Sequence, residues 1–401
     1  MIQEKMAFRV TAMFVTVSAL LAVGVVMVYS ATASLSGQVE IGWQGFLVSA
    51  GAKQGILAGV SIVMMLLVSR LDYRRLSFSR PAIQHPTILL FTLSAGLLLG
   101  VLFFGIRING ARRWFLLPGG LTFQPSEFAK PMLIVFLAAL LAWGRQQART
   151  FGRGFLLPVA LSALICVLIA REDLGTGALL MLVAMAMLWV SGAKLAYYLT
   201  LIIPAAAAFY WLVVCVPYRW RRLVAFFGSD QDPRGAGYHA TQSLISLVSG
   251  GWWGKGLGSG VQKYGYLPQD SSDFIFAVIG EETGLIGCCV IIGFFGVLVL
   301  LGLTICKATK DPFGRLLGFG LTLLVGLQAA LNIAVVTVTV PSKGIPLPYV
   351  SAGGSGALFA AVAAGLMMSV ARFGASPPSE NTYDITLPDE VCPDDNAAAN
   401  P

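Results

Sequence analysis

DFIFAVIGEETGLIGCCVIIGFFGVLVLLGLTI, residues 273–305, decides what kind of fold this chain has. From Thr283 to Ile305 it carries no charge. A helix needs about 20 such residues to cross ~30 Å of bilayer hydrocarbon. The run counted as a span is Phe274–Ile305, and nine others of comparable character surround it: Ala7–Ala31, Gln54–Ser69, Pro86–Ile106, Glu127–Trp143, Gly154–Ala170, Thr176–Gly192, Lys194–Val216, Gly314–Val340 and Gly356–Val370. Lys5 and Arg9 precede the first, and Ala31-Thr32-Ala33 looks like a signal cleavage site. Its apolar stretch exceeds the about 7–15 residues of a signal core, so an uncleaved anchor is expected.

Composition agrees. Of 401 residues 57% are hydrophobic and only 11% are charged, against about 25% charged in a soluble domain. That excludes a water-soluble globule, and for the most part disorder, which needs low hydrophobicity. The net charge of +8 in so apolar a chain points to a membrane, not to nucleic acid. The six cysteines lie in or beside apolar runs, apart from Cys392, and read as small packing residues.

The expected fold class is an all-α polytopic membrane protein with about ten transmembrane helices and a large extracytoplasmic loop between spans 7 and 8. Residues 1–373 form the membrane domain, with 217–273 as the large loop. Residues 374–401 hold six acids and no Lys or Arg, and read as a disordered acidic cytoplasmic tail. Ten spans put both termini on one side. Fourteen basic residues, among them Arg70, Arg74, Arg75, Arg145, Arg149, Lys307 and Lys310, fall on that side, which the positive-inside rule makes cytoplasmic. The other thirteen sit opposite, where few are expected. Arg107, Arg112 and Arg113 in a short outer loop suggest an anionic ligand presented there.

Three outer stretches, 107–126, 218–272 and 341–355, break the hydrophobic pattern and are rich in Gly, Pro and aromatics. Irregular backbone at membrane depth is tolerated where protein buries it or it lines a watery cavity. Asp273 stands where the long loop enters its helix. An apolar wall there would raise its pKa toward the range of a general base, and an ordinary N-cap fits equally well. Glu281 and Glu282 lie eight and nine residues deeper, about 12–13 Å at ~1.5 Å per residue. Ionisable groups at such depth are costly and face a cavity or a partner; one is expected near the cavity and one on a neighbouring helix.

Arg112 and Arg113 offer planar forks of donors suited to phosphate, with Trp114 beside them at the interface; an anchor to phospholipid phosphates is the plainer alternative. Pro125, Ser126 and Glu127 read as a helix start, with Lys130 one turn on to pair with Glu127. Tyr218-Arg219-Trp220-Arg221-Arg222 reads as an interfacial basic belt or a second clamp. Gly250–Gly260 is glycine-rich but lacks the order of a nucleotide loop, so a tight structural turn fits better. His85 and His239 alone make neither a metal site nor a nucleophilic relay. Pro341, Pro346 and Pro348 exclude a continuous helix, Gly353-Gly354 permits a tight turn, and Lys343 would sit in the outer cavity.

Together, Asn109–Phe115, Gln124–Lys130, Asp173–Thr176, Gln242–Ile245, Gly254–Gly258, Gln262–Pro268, Asp273–Glu282 and Pro341–Ser355 resemble, in order, the SEDS family of bacterial membrane proteins (FtsW, RodA, SpoVE). Pro341-Ser-Lys343-Gly344 is nearer the FtsW-like pattern. The resemblance implies a ten-span glycosyltransferase in the bacterial plasma membrane. It would polymerise lipid II on the outer face, with inversion, for septal synthesis in division. Partners would be a class B penicillin-binding protein and other divisome membrane proteins. A lipid II flippase and a partner-activating scaffold are the alternatives. The family's essential aspartate maps onto Asp273 and its tryptophan onto Trp114. Arg112, Arg113, Trp114, Lys343, Arg219, Glu281 and Ser351 are expected around the substrate. A divalent cation, Mg or Mn, is compatible with such chemistry, though no dedicated ligand set is visible. Two departures stand out: Ser271-Ser272 where the family has His-Thr, and Ala352 and Gly356 where it has Tyr and Ser.

Overall fold

The computed structural model describes residues 2–33, 50–78, 85–108, 111–117, 121–145, 148–227, 238–260, 272–341 and 344–374. Among them ten helices are long and apolar enough to cross a membrane, so the chain is a multi-pass helical membrane protein. They are α1 (Ile2–Ala33), α2 (Ala50–Arg70), α3 (Pro86–Phe104), α4 (Pro125–Trp143), α5 (Leu157–Glu172), α6 (Leu174–Ser191), α7 (Leu195–Val214), α10 (Ile275–Ala308), α11 (Pro312–Val336) and α12 (Gly354–Phe373). Two shorter helices, α8 (Pro217–Phe227) and α9 (Tyr238–Gly250), lie between spans seven and eight. The tail beyond Gly374, Lys343 and all of 261–271 lie outside the described residues.

Local chemistry sets the helix starts. Proline opens α3, α4 and α11, where its missing N–H costs nothing and its fixed φ suits the first turn. His85 Nδ1 accepts from the Thr87 amide at 3.3 Å, and Asp311 Oδ2 from that of Gly314 at 2.9 Å. The expected anchor α1 is a working part of the bundle: Met13, Val17 and Leu20 are fully buried in its core. By contrast α7 stands away from the other spans, and Val213 is its one buried residue.

The short loop between α3 and α4 differs from the all-helical expectation. It forms a three-stranded antiparallel sheet, β1 (Ile106–Ile108), β2 (Ala111–Leu117) and β3 (Leu121–Phe123), in the order β1-β2-β3. Residues 111–117 are rich in aromatic and branched side chains and lie between segments that return the chain on itself, a hairpin pattern masked in the sequence by the arginines.

The decisive run is itself broken. Inside α10, Gly284 has φ 70° and ψ −167°, outside any helix. The glycine-rich segment after α9 completes what the break leaves open. Lys255 and Gly256 donate backbone N–H groups to the carbonyls of Glu281 and Glu282, both at 3.0 Å. Leu285 and Ile286 donate to the carbonyls of Gly251 and Trp252, at 2.9 and 3.3 Å. The tight structural turn expected at 250–260 is present, but Trp252 and Trp253 are exposed and do not pack into it.

Another irregular segment, 344–353, sits beside α1. Its turn is made by Tyr349, at φ 65°, and not by Gly353-Gly354, both of which have negative or helical backbone. Tyr349 is buried and its hydroxyl donates to the Ala360 carbonyl at 3.1 Å. Gly24 of α1 makes room for this turn: a Cβ there would lie 2.8 Å from the carbonyl oxygens of both Tyr349 and Val350. Gly24→Leu should therefore lower the thermal midpoint in detergent, by roughly 1–3 kcal/mol of overpacking. Gly96→Ala, with nothing within 4 Å, should leave it unchanged. Equal midpoints for the two would show that the turn is not seated on α1.

Candidate active site

The helix ends that carry the polar outer residues converge on a cavity of about 2020 Å³. At one end it is lined by Lys53, Arg113, Trp114, Glu127, Lys130, Glu172, Asp173, Arg219, Arg222 and Asp273. From there it continues between α5, α6 and α7 past Val167, Met181, Leu182 and Ala205 to Val159 and Tyr198, near the opposite ends of those helices. It is a charged chamber joined to an apolar slot.

Asp273 occupies the chamber wall. It is not an N-cap: α10 begins two residues later, its cap position is Phe274, and no side chain caps it. The ordinary explanation for this aspartate is thus removed. Burial pushes its carboxyl up to about 6; Asp173 adds to the rise, and Arg113 and Arg222 oppose it. Gly344 comes so close that a Cβ there would lie 2.7 Å from Asp273 Oδ2.

The cations are held by helix ends. Arg113 donates to the Glu172 carbonyl through Nε at 3.1 Å and Nη2 at 2.5 Å, and its Nη1 lies 3.7 Å from Asp173 Oδ2. Arg219 donates to the carbonyls of Ala170, Arg171 and Leu212 at 3.1, 2.7 and 2.8 Å. Both guanidiniums thus cap the C-terminal end of α5, where free carbonyls and the helix dipole favour positive charge. Burial first, then the charge of Arg113, lowers the Arg219 pKa. Two crowded guanidiniums in a concave site favour an anion between them. Arg222, one turn along α8, has its guanidinium 4.5 Å from the Tyr218 ring centroid.

Two expected site residues, Arg112 and Glu281, lie away from the cavity, and Ser351 lines it with its hydroxyl already engaged. Arg112 does not line the cavity: its backbone N–H donates to Glu172 Oε2 at 3.0 Å and its Nη1 to the Leu102 carbonyl at 3.2 Å, at the end of α3. Strand alternation turns it away from Arg113. Glu281 is fully buried against Lys255, Nζ to Oε1 2.7 Å, within the break of α10, and not at the cavity. Its neighbour Glu282 does reach another helix, accepting from Ser30 Oγ of α1 at 2.8 and 2.7 Å. Ser351 lines the cavity, yet its hydroxyl is engaged with backbone: it accepts from the Leu347 N–H at 2.7 Å and donates to the Ser272 carbonyl at 2.6 Å. Lys343 lies outside the described residues.

Glu127 and Lys130 pair as expected, at 2.8 Å, and Lys130 also donates to Gln328 Oε1 at 3.0 Å. They line the cavity as well. Asp173 belongs to a segment that carries the family resemblance but was given no site role from sequence; it is the single residue between α5 and α6 and accepts from Thr176 N and Oγ1 at 3.1 and 2.9 Å. The signal was present as Arg171-Glu172-Asp173 between two apolar runs. Sequence reading passed over Gln328 and Asn332, two amides four residues apart on α11. Among the described residues no three His, Cys, Asp or Glu side chains converge on a metal position.

The family model for FtsW, RodA and SpoVE, described as a cell cycle protein, matches residues 10–375. The chain belongs to this family. The probable peptidoglycan glycosyltransferase FtsW of Geobacter sulfurreducens is 38% identical over 353 residues, 88% of this chain and 92% of its own. Stage V sporulation protein E of Bacillus subtilis is 34% identical over 356 residues, 88% and 94% of the two chains. A solved chain from a peptidoglycan synthase complex that coordinates polymerisation and crosslinking superposes with a TM-score of 0.68 at 25% identity, covering 90% of this chain and 96% of its own. The rod shape determining protein RodA of Thermus thermophilus has the same fold, with a TM-score of 0.63 at 24% identity over 91% of this chain and 97% of its own.

The Lys255–Glu281 pair has a measurable consequence. Lys255→Met removes the cationic partner of a carboxylate with no exposure and should cost on the order of 3 kcal/mol of stability. Lys255→Met with Glu281→Gln should recover most of the thermal midpoint. A double variant no more stable than the single one would show that the pair does not hold the splice.

Proposed function

We propose that this chain is a peptidoglycan glycosyltransferase that polymerises lipid II on the outer face of the bacterial plasma membrane, serving septal wall synthesis in division. The observation that carries the reading is the union, in one cavity, of a buried carboxylate, guanidiniums held on helix ends, and an apolar slot the depth of the helices. Lipid II asks for those three things: a hydroxyl to deprotonate, a pyrophosphate to bind, and a polyprenyl tail to lodge. The relatives named as FtsW at 38% identity favour the division branch.

Asp273 accepts the proton of the acceptor GlcNAc 4-hydroxyl as that oxygen attacks the anomeric carbon of the donor MurNAc. The bond to the pyrophosphate breaks on the opposite face, so the configuration inverts. A carboxyl near pKa 6 is mostly ionised at neutral pH and more basic than an ordinary aspartate, and such help is worth roughly 10²–10⁴-fold. The departing polyprenyl pyrophosphate gains charge. Arg113, Arg219 and Arg222 meet it, the first two already oriented by carbonyls of α5, so little reorganisation is needed in the transition state. Lys343, next to Gly344, joins this clamp on sequence grounds. Trp114 offers its ring to a sugar face at the cavity wall. A divalent cation, Mg or Mn, would draw most of its ligands from the pyrophosphate.

The ends of α2, α10 and α12 opposite the cavity carry the topogenic charge: Arg74 Nη2 donates to the Phe373 carbonyl at 2.7 Å and the Lys310 N–H to that of Gly374 at 3.1 Å. This supports both termini being cytoplasmic and the cavity facing outward. The partner is a class B penicillin-binding protein, in keeping with the crosslinking complex matched above, together with other divisome membrane proteins.

Purified protein given lipid II, with and without a cognate class B penicillin-binding protein, should yield glycan polymer. Its rate should fall as pH drops through about 6, where Asp273 takes up its proton. Asp273→Asn should abolish polymer without lowering the thermal midpoint, because the fold disfavours the charged form. Polymer from the variant equal to wild type would overturn the assignment; lipid II crossing the bilayer with no polymer from the wild type would favour a flippase.

A further inference from the structure

Asp273 is not anchored by its own helix, and its carboxylate is placed by contacts from elsewhere. Both peptide groups beside its Cα are gripped. Ser351 Oγ donates to the carbonyl of Ser272 at 2.6 Å, and Asn332 Nδ2 to the carbonyl of Asp273 at 2.8 Å. Each grip has a second point on the neighbouring segment: the Leu347 N–H donates to Ser351 Oγ at 2.7 Å, and Asn332 Nδ2 reaches the Ile345 carbonyl at 2.7 Å. Since peptide groups are planar, holding the two carbonyls leaves the aspartate little freedom beyond its side-chain torsions. Gly344 then closes one side of the carboxylate.

Stability alone does not account for Asn332. It is 1% exposed inside a membrane-spanning helix, and its Oδ1 has no partner among the described residues. Such an orphan acceptor costs free energy that a leucine of similar size would not incur. Half the amide is a burden, and the other half aims its hydrogens at the backbone of Asp273 and Ile345.

We infer that Asn332 and Ser351 are positioning residues for Asp273, coupling its backbone to the 345–347 segment so that the carboxylate is presented to the cavity in one place. The inference rests on the proposed function and adds to it a mount that touches no substrate through Asn332. Buried side chains on two different elements, α11 and the segment before α12, act on consecutive carbonyls, which separates a mount from ordinary helix capping.

The test uses the full-length enzyme with lipid II and the variants Asn332→Leu and Ser351→Ala. A displaced base is expected to lower kcat roughly 10- to 100-fold in both, with KM for lipid II within about twofold in Asn332→Leu, which does not line the cavity. The acid limb should move to lower pH as the loosened carboxyl gains water. The charged groups facing it, Asp173 at the start of α6, Arg113 on β2 and Arg222 on α8, are unchanged in both variants. Asn332→Leu also takes the amide donor from the Asp273 and Ile345 carbonyls and should melt below wild type, so the shift of the acid limb is the readout that a merely structural loss would not give. Unchanged kcat, or a loss that tracks a lower thermal midpoint with an unmoved acid limb, would overturn the mount. Asp273→Asn run alongside separates the two levels: polymer from that variant sinks the general-base reading, whatever the others do.

Discussion

In a bilayer each backbone N–H and C=O must find its partner inside the protein, and every departure from straight helices in this molecule answers to that requirement. The break at Gly284 would expose carbonyls and amides of α10 at membrane depth. The glycine segment after α9 supplies four backbone hydrogen bonds to them. Its own glycines matter for the same reason: Gly254, with φ 79°, lies against Glu282 and Gly284 backbone, where a Cβ has no space. The wall segment 344–353 obeys the rule in another way, drawing on side-chain amides of α11, with Gln328 Nε2 on the Pro346 carbonyl at 2.9 Å and Asn332 on that of Ile345. Irregular backbone, made affordable by these partners, is what brings Asp273 to the cavity.

The same constraint explains the arginines. Helix C-terminal carbonyls at the outer rim lack intrahelical partners, and guanidinium groups satisfy several at once. Arg113 and Arg219 do so on α5 and still face the cavity; Arg112 does so on α3 and does not. Two roles that sequence cannot separate, completing a helix and binding an anion, are here combined in some residues and divided among others. Arg219 also shows the cost, since burial and a like charge beside it both disfavour its ionised form. An anion entering the chamber relieves that cost, which makes the clamp selective for charge.

Sequence made the spans legible because hydrophobic length is a local property, and all ten apolar runs correspond to helices, with ends differing by a few residues. The Glu127–Lys130 pair was legible for the same reason, being set by near neighbours; Asp273 stood out by its place at the mouth of an apolar run and by the family resemblance, while Asn332 and Ser351, which hold the carbonyls beside it, lie far along the chain. The sheet between α3 and α4 was not, because three short strands among arginines and glycines carry little periodicity. Nor was the partner of Glu281, since Lys255 lies 26 residues away and meets it only because α10 breaks. Asn332 gave a usable signal, an amide one helical turn after Gln328 in an apolar run, but its target lies 59 residues back.

From sequence, the basic residues of the loops opposite the termini suggest an anionic ligand. The structure divides that charge. Lys255 is consumed by a buried glutamate, Lys130 by Glu127 and Gln328, and Arg112 by the end of α3. Around Asp273 the cavity carries Arg113, Arg219 and Arg222, with Lys53 and Arg171 also on its lining, and the acids Glu172 and Asp173 stand among them. Acids among the cations suit the proposed chemistry better than a uniformly basic chamber. A strongly positive wall would drive the Asp273 pKa down and leave it a weak base, whereas burial first and then Asp173 nearby keep it raised. In the proposed reaction Asp173 thus offsets, at the base, the cations that would bind the leaving group, and both functions can share one cavity.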